Sequence, residues 1–173
     1  MKLVIDTTQA TLTIADGDGQ RSMALYSREA FEALSHQWLK VGWALKYSYT
    51  FTWLGRPIIQ LPEDMMRLQE VIYRIRPDVI LETGVAHGGS LIFSASLCQL
   101  LGKGRVIGVD VEIRPQNRAA IESHPLASHI ALIEGDSVAP EVVRQVKSLI
   151  RPGEEVLILL DSNHSKEHVL AEL

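Results

Sequence analysis

The sequence predicts an α/β protein, a Rossmann-like parallel sheet with an N-terminal β and helical annex. Three observations carry this. From Pro77 onward short apolar runs alternate with helical segments, the pattern of strands joined by crossovers. Each run ends in glycine or an acid, residue types that serve ligands at strand ends. Before Pro77 the alternation is missing, and short β-like runs precede two helical stripes. Residues 1–76 therefore read as the annex and 77–173 as the Rossmann-like domain.

Bulk properties narrow the class. A chain of 173 residues with 46% hydrophobic and 22% charged residues is ordinary for a packed domain. A net charge of −4 gives no electrostatic reason to expect nucleic acid or an anionic membrane as partner. Cys98 is the single cysteine, which excludes an internal disulfide and a cysteine-based zinc site and fits a cytoplasmic, reducing setting. Only Leu3 to Ile5 are apolar before Asp6 interrupts, too short for a signal-peptide core. No run approaches the roughly 18 apolar residues of a membrane span.

The annex opens with Lys2–Asp6 and Ala10–Ala15, which alternate apolar with polar or threonine side chains. Asp16-Gly17-Asp18-Gly19 is turn chemistry before a third run at Ser22–Tyr26. Ser27 is an N-cap candidate for a helix in which Phe31, Leu34, Trp38, Val41 and Leu45 recur at spacings of three and four, read as a core-facing stripe. Tyr47–Pro62 is aromatic and lacks periodicity, so it reads as a loop, folded over a cofactor mouth or else a packed connector. A helix follows from Pro62 to Ile75, with Pro in its first turn and Glu63 and Asp64 near its positive end.

In the second region Val79–Leu81, Arg105–Val109, Ile130–Ile133 and Val156–Leu160 are the strands. Leu91–Leu101, Pro115–Ser123 and Pro140–Ile150 are the helices between them. The first strand end reads Glu82-Thr83-Gly84-Val85-Ala86-His87-Gly88-Gly89-Ser90. It is a glycine-rich turn opening a helix, but Ala86 breaks the dinucleotide fingerprint. Asp110 closes the second strand, where an acid can accept hydrogen bonds from both hydroxyls of a ribose. Asp136, in Glu134-Gly135-Asp136-Ser137, can reach an adenine amino group or cap the Pro140 helix. Asp161 follows the apolar run 156–160, where an unpaired carboxylate is costly unless it meets a ligand, a cation or solvent.

An acid two residues before a glycine, the glycine turn, the acid after strand two and Gly-Asp after strand three together resemble class I S-adenosylmethionine-dependent methyltransferases. The runs TFTWLGRPIIQLPED, ETGVAHGGS, VIGVDVEIRP, EGDS and LDSNHSKEHVLAEL are similar to the cephalosporin hydroxylase / rhamnosyl O-methyltransferase family, over Ser27 to Leu173. The resemblance implies S-adenosylmethionine as cofactor, with Glu82, Gly84 and Gly88 at its methionine end, Asp110 at its ribose and Asp136 at its adenine. It implies methylation of a hydroxyl on a sugar or secondary-metabolite acceptor, a small-molecule partner. In the metal-dependent members Asp161 would bind magnesium, and His164, three residues on, would act as base.

Alternatives stay open. Asp161 can cap the last helix with His164 on the surface. Asp161, His164 and His168, at spacings of three and four, can instead form a metal-dependent oxygenase site. A third reading is a non-catalytic nucleotide-binding module. The sheet expected of this methyltransferase type has further C-terminal strands. The chain is therefore expected to be part of a longer protein, with 156–160 a bare edge and no turnover by itself. The oligomeric state, a homo-oligomer included, is left open by the sequence.

Overall fold

The computed structural model describes all 173 residues, Met1–Leu173. They form two compact units, Met1–Tyr47 and Ser48–Leu173. Residues 48–76, grouped with the annex on sequence grounds, thus belong to the unit that holds the parallel sheet.

In the first unit β1 (Lys2–Asp6), β2 (Thr11–Asp16) and β3 (Gly19–Ala24) make an antiparallel sheet in that order. The acid-glycine run closes the β2–β3 hairpin. Asp16 pairs with Gly19, and its carboxylate accepts the Asp18 amide at 3.1 Å. Helix α1 (Arg28–Ala44) begins at Ser27, whose hydroxyl accepts the Ala30 amide at 3.1 Å, as the N-cap signal predicts. The core is Leu12, Ile14 and Ala30, ringed by Leu3, Met23, Leu25, Ala33 and Leu34.

The stripe on α1 is not the core face expected. Phe31 is 70% exposed and Leu45 76%, with Trp38 and Val41 also exposed. Three strands of five or six residues cover only the flank carrying Ala30, Ala33 and Leu34. Periodicity shows that a helix has an apolar face, not that something covers it.

The second unit opens with a 3₁₀ turn and the hairpin β4 (Phe51–Trp53) and β5 (Arg56–Ile58). Leu54 and Gly55, with φ of 45° and 85°, form its two-residue turn, the backbone hand that matches strand twist. The Trp53 ring meets Phe93 edge-on, centroids 5.0 Å apart, and its Nε1–H donates to Ser96 Oγ at 3.1 Å. The middle of the aromatic segment is therefore a regular hairpin packed on a helix and not an irregular loop. Helix α2 (Pro62–Ile75) follows and buries Met65 and Ile72.

The sheet proper is β6 (Val79–Thr83), β7 (Arg105–Asp110), β8 (Ile130–Glu134) and β9 (Val156–Leu160), all parallel, in the order β8-β7-β6-β9. Helices α3 (Gly89–Leu101), α4 (Pro115–Glu122), α5 (Pro140–Ser148) and α6 (Lys166–Glu172) complete the unit. Alternate strand residues feed two cores. Ile80 and Val106 join Leu91, Ile92, Phe93 and Ile72 on one face, while Val79, Ile107, Val109 and Ile133 join Val142 and Val146 of α5 on the other. Strand β9 pairs only with β6, and Ile158 is 53% exposed, the bare edge the sequence predicts. No helix is long and apolar enough to cross a membrane. The chain runs β6, β7, β8 outward and then returns to the far side of β6. The strand order therefore reverses between β6 and β9, where open α/β sheets place their ligands.

Candidate functional site

A cleft of about 480 Å³ lies at that reversal, beyond the carboxyl ends of all four strands. Its walls include Gly84, Asp110, Asp136, Asp161 and His168. Of the residues singled out in the sequence, Glu82 lies buried beside it, Gly88 caps α3 from behind, and His164 stands out in solvent.

Gly84 sets the floor. Its φ is +94°, and a Cβ there would sit 2.1 Å from the carbonyl oxygen of Asp161. The Asp161 amide in turn donates to Thr83 O at 2.9 Å. Only glycine lets the end of β6 approach the end of β9 this closely. The turn then closes with Gly88 N–H donating to Val85 O at 2.7 Å.

Asp110 holds this turn from the neighbouring strand. Its Oδ2 accepts the Val85 amide at 2.7 Å and the Ala86 amide at 3.2 Å, and its Oδ1 accepts Glu112 N–H at 3.3 Å. The carboxylate is half-buried at the cleft wall, so it organises the turn and still borders the cleft. Ala86, exposed, is bent to φ 44°, a conformation that costs a non-glycine residue about 1 kcal/mol or more. Two residues without a role in the sequence reading hold it there. Buried Asn117 of α4 donates to Ala86 O at 2.8 Å, and Arg56 of β5 donates to His87 O at 3.1 Å and to Asn117 Oδ1 at 3.2 Å. Arg56 lies within the run TFTWLGRPIIQLPED, but nothing in the sequence says which carbonyl it reaches.

Glu82 is 1% exposed. Ser90 Oγ donates to its Oε1, and Oε2 has no partner. Burial pushes its carboxyl up to about 8; the Ser90 hydrogen bond opposes this and the nearby Asp161 charge adds to it. Asp161, with a half-exposed side chain, is also raised by partial desolvation, and His164 works against that. His164 Nε2 lies 3.6 Å from Asp161 Oδ1. Asp136 is exposed; its Oδ1 accepts Val138 N–H at 3.1 Å, which braces the turn into α5 while the residue still lines the cleft.

The fourth wall holds a network the sequence reading missed. Glu172 of α6 accepts from Ser137 Oγ at 2.6 Å and from Ser162 Oγ at 2.9 Å, with His168 Nε2 at 3.3 Å. Burial disfavours its charge, but these hydrogen bonds and His168 outweigh that and hold the carboxyl below its ordinary value. His168 therefore turns away from Asp161 and His164. The three residues of the oxygenase alternative do not converge, and no group of three His, Cys, Asp or Glu side chains in the chain could hold a metal ion.

A parallel sheet whose first strand ends in a glycine turn clamped by the acid of its neighbour is the arrangement of Rossmann-like nucleotide-binding sheets. The chain belongs to the Rhamnosyl O-methyltransferase/CmcI family, whose model matches residues 45–173. Among curated proteins it is similar to the rhamnosyl O-methyltransferase of Mycobacterium leprae, 32% identical over 72% of this chain and 53% of the relative. The Mycobacterium tuberculosis protein of the same name is 28% identical over 70% and 49%. The chain thus spans about half the length of the curated relatives it matches. Among solved structures, CmcI without ligand aligns with a TM-score of 0.53 at 22% identity, over 69% of this chain and 48% of CmcI. CmcI with magnesium and S-adenosylmethionine aligns at 0.50 and 20% identity, over 68% and 47%. The fold is the CmcI methyltransferase fold.

Proposed function

We propose that this chain is the cofactor-binding part of an S-adenosylmethionine-dependent O-methyltransferase that acts on a hydroxyl of a sugar or secondary-metabolite acceptor. The observation that carries the reading is the Asp110 carboxylate, bonded to the glycine-turn amides and bordering the cleft, where a ribose diol would meet it. Names in the family agree, since the curated relatives are rhamnosyl O-methyltransferases and a CmcI structure holds S-adenosylmethionine with magnesium.

The cleft suits the cofactor. Gly84 lets the ends of β6 and β9 close together beneath the cleft, and the buried Glu82 carboxyl lies under the turn at the end assigned here to the methionine. Asp136 lines the cleft at the exit of β8, and this reading assigns it the adenine. When bound, the cofactor supplies an electrophilic methyl group. The chain's residues bind and orient it, since methyl transfer depends above all on aligning the acceptor oxygen. His164, exposed beside Asp161, is the residue this reading assigns as base for the acceptor's proton. Asp161 would supply one carboxylate to magnesium, whose chemistry there is to orient and acidify an acceptor oxygen. The chain's own side chains do not complete a metal site.

The test is calorimetry of the chain with S-adenosylmethionine and S-adenosylhomocysteine. Asp110→Ala and Asp110→Asn should each weaken binding by about 1–3 kcal/mol, the scale of a hydrogen bond to a charged group. Equal affinity in folded variants removes Asp110 from the site, and no binding by the parent chain overturns the reading.

A further inference from the structure

His168 is tied down at one ring nitrogen and lines the cleft. Ser137 spends its one hydroxyl hydrogen on Glu172, at 2.6 Å, so it can only accept from His168 Nε2, 3.2 Å away. Glu172 Oε1 also faces Nε2, at 3.3 Å, and a carboxylate held in the charged form accepts only. Both neighbours therefore require a hydrogen on Nε2, which leaves Nδ1 as the ring nitrogen with no partner inside the chain. Nδ1 makes no hydrogen bond within the chain, and His168 lines the cleft on the wall it shares with Asp136 and Ser137. The dyad is built, not incidental. The Glu172 side chain is only 3% exposed, and it gathers Ser137 from the end of β8, Ser162 from the end of β9 and His168 from its own helix.

We infer that His168 is a cofactor-binding residue whose Nδ1 hydrogen-bonds the nucleoside half of S-adenosylmethionine, and that Glu172 is the positioning residue that fixes the ring. The inference rests on the methyltransferase reading above. Fixing the tautomer before the ligand arrives saves the cost of orienting the ring on binding. It also ties the loops after β8 and β9 to α6, so two walls of the cleft are set by one buried carboxylate.

The experiment uses the 173-residue chain with ¹⁵N-labelled histidine and S-adenosylhomocysteine, adenosine and methionine as probes. In the free chain His168 should show the Nε2–H tautomer, and Glu172→Gln should mix the two tautomers. Saturation with S-adenosylhomocysteine or adenosine should move the His168 Nδ1 resonance, and methionine should leave it in place. His168→Phe should weaken S-adenosylhomocysteine binding about tenfold or more, with the circular dichroism of the parent. An Nδ1 resonance that stays put under saturating S-adenosylhomocysteine, or that answers methionine and not adenosine, overturns the assignment even if the Phe variant fails to fold. A parent chain that binds none of the three overturns the methyltransferase reading instead.

Discussion

At the end of β6 the Glu82 carboxyl is sealed under the glycine turn, with one oxygen on Ser90 and the other unpartnered. Its folded-state pKa, raised to about 8, lies above the ordinary carboxyl value that the unfolded chain restores. The folded state therefore holds this proton more tightly than the unfolded state does. The stabilisation is complete at pH below the unfolded value and is lost as pH rises through about 8. Denaturant unfolding from pH 5 to pH 9 should show that decline, and Glu82→Gln, which keeps the shape and the Ser90 contact, should flatten it. An unchanged slope in the variant would place the pH dependence elsewhere. His164, just past the end of β9, tests a different part of the chemistry. In the form of the protein that turns over, His164→Ala should lower methyl transfer to the acceptor with cofactor affinity nearly intact, the outcome expected of the base proposed above. Calorimetry and initial rates separate the two, and a fall in affinity equal to the fall in rate would assign His164 to cofactor binding.

Among the elements, the β4–β5 hairpin bears on two accounts of one segment. Trp53 bonds to Ser96 and stacks edge-on with Phe93, so its energy is packing energy. Trp53→Ala should cost about 2–4 kcal/mol of stability, somewhat under a fully buried Trp truncation because the ring is half-buried. Cofactor affinity should hold in the fraction that remains folded. Arg56, on the same hairpin, should behave the other way. Arg56→Ala releases His87 O and Asn117, loosens the strained Ala86 turn, and should weaken cofactor binding with a smaller stability loss. Both are read from paired melts and titrations; a Trp53 variant that is stable but does not bind would favour the cofactor-mouth account. The strands, the glycine turn and Asp110 were legible because apolar runs punctuated by glycine and acid are local signals. Arg56, Asn117 and Glu172 were not, because their partners lie 31, 31 and 35 residues away and spacing says nothing of them. The α1 stripe misled for a related reason: Phe31 and Leu45 mark an apolar face, and the sequence holds no sign of what lies opposite.

Taken whole, the second unit is a sheet sealed on both faces over its inner strands and open along one margin. In a parallel strand alternate residues turn their amides to opposite neighbours. Asp161 N–H bonds to Thr83 O and Glu155 O accepts from Val79 N–H, so the odd-numbered positions of β9 face β6. The amides of Leu157 and Leu159 are therefore in the ladder, and those of Val156, Ile158 and Leu160 point outward. Hydrogen–deuterium exchange resolved by residue should show an alternation along these five positions, slow at 157 and 159 and fast at 156, 158 and 160. Uniformly slow exchange would mean that another strand already lies against β9. The same three amides then serve as a built-in gauge: any chain segment, from this molecule or another, that adds a strand at this margin will announce itself by slowing them and leaving 157 and 159 unchanged.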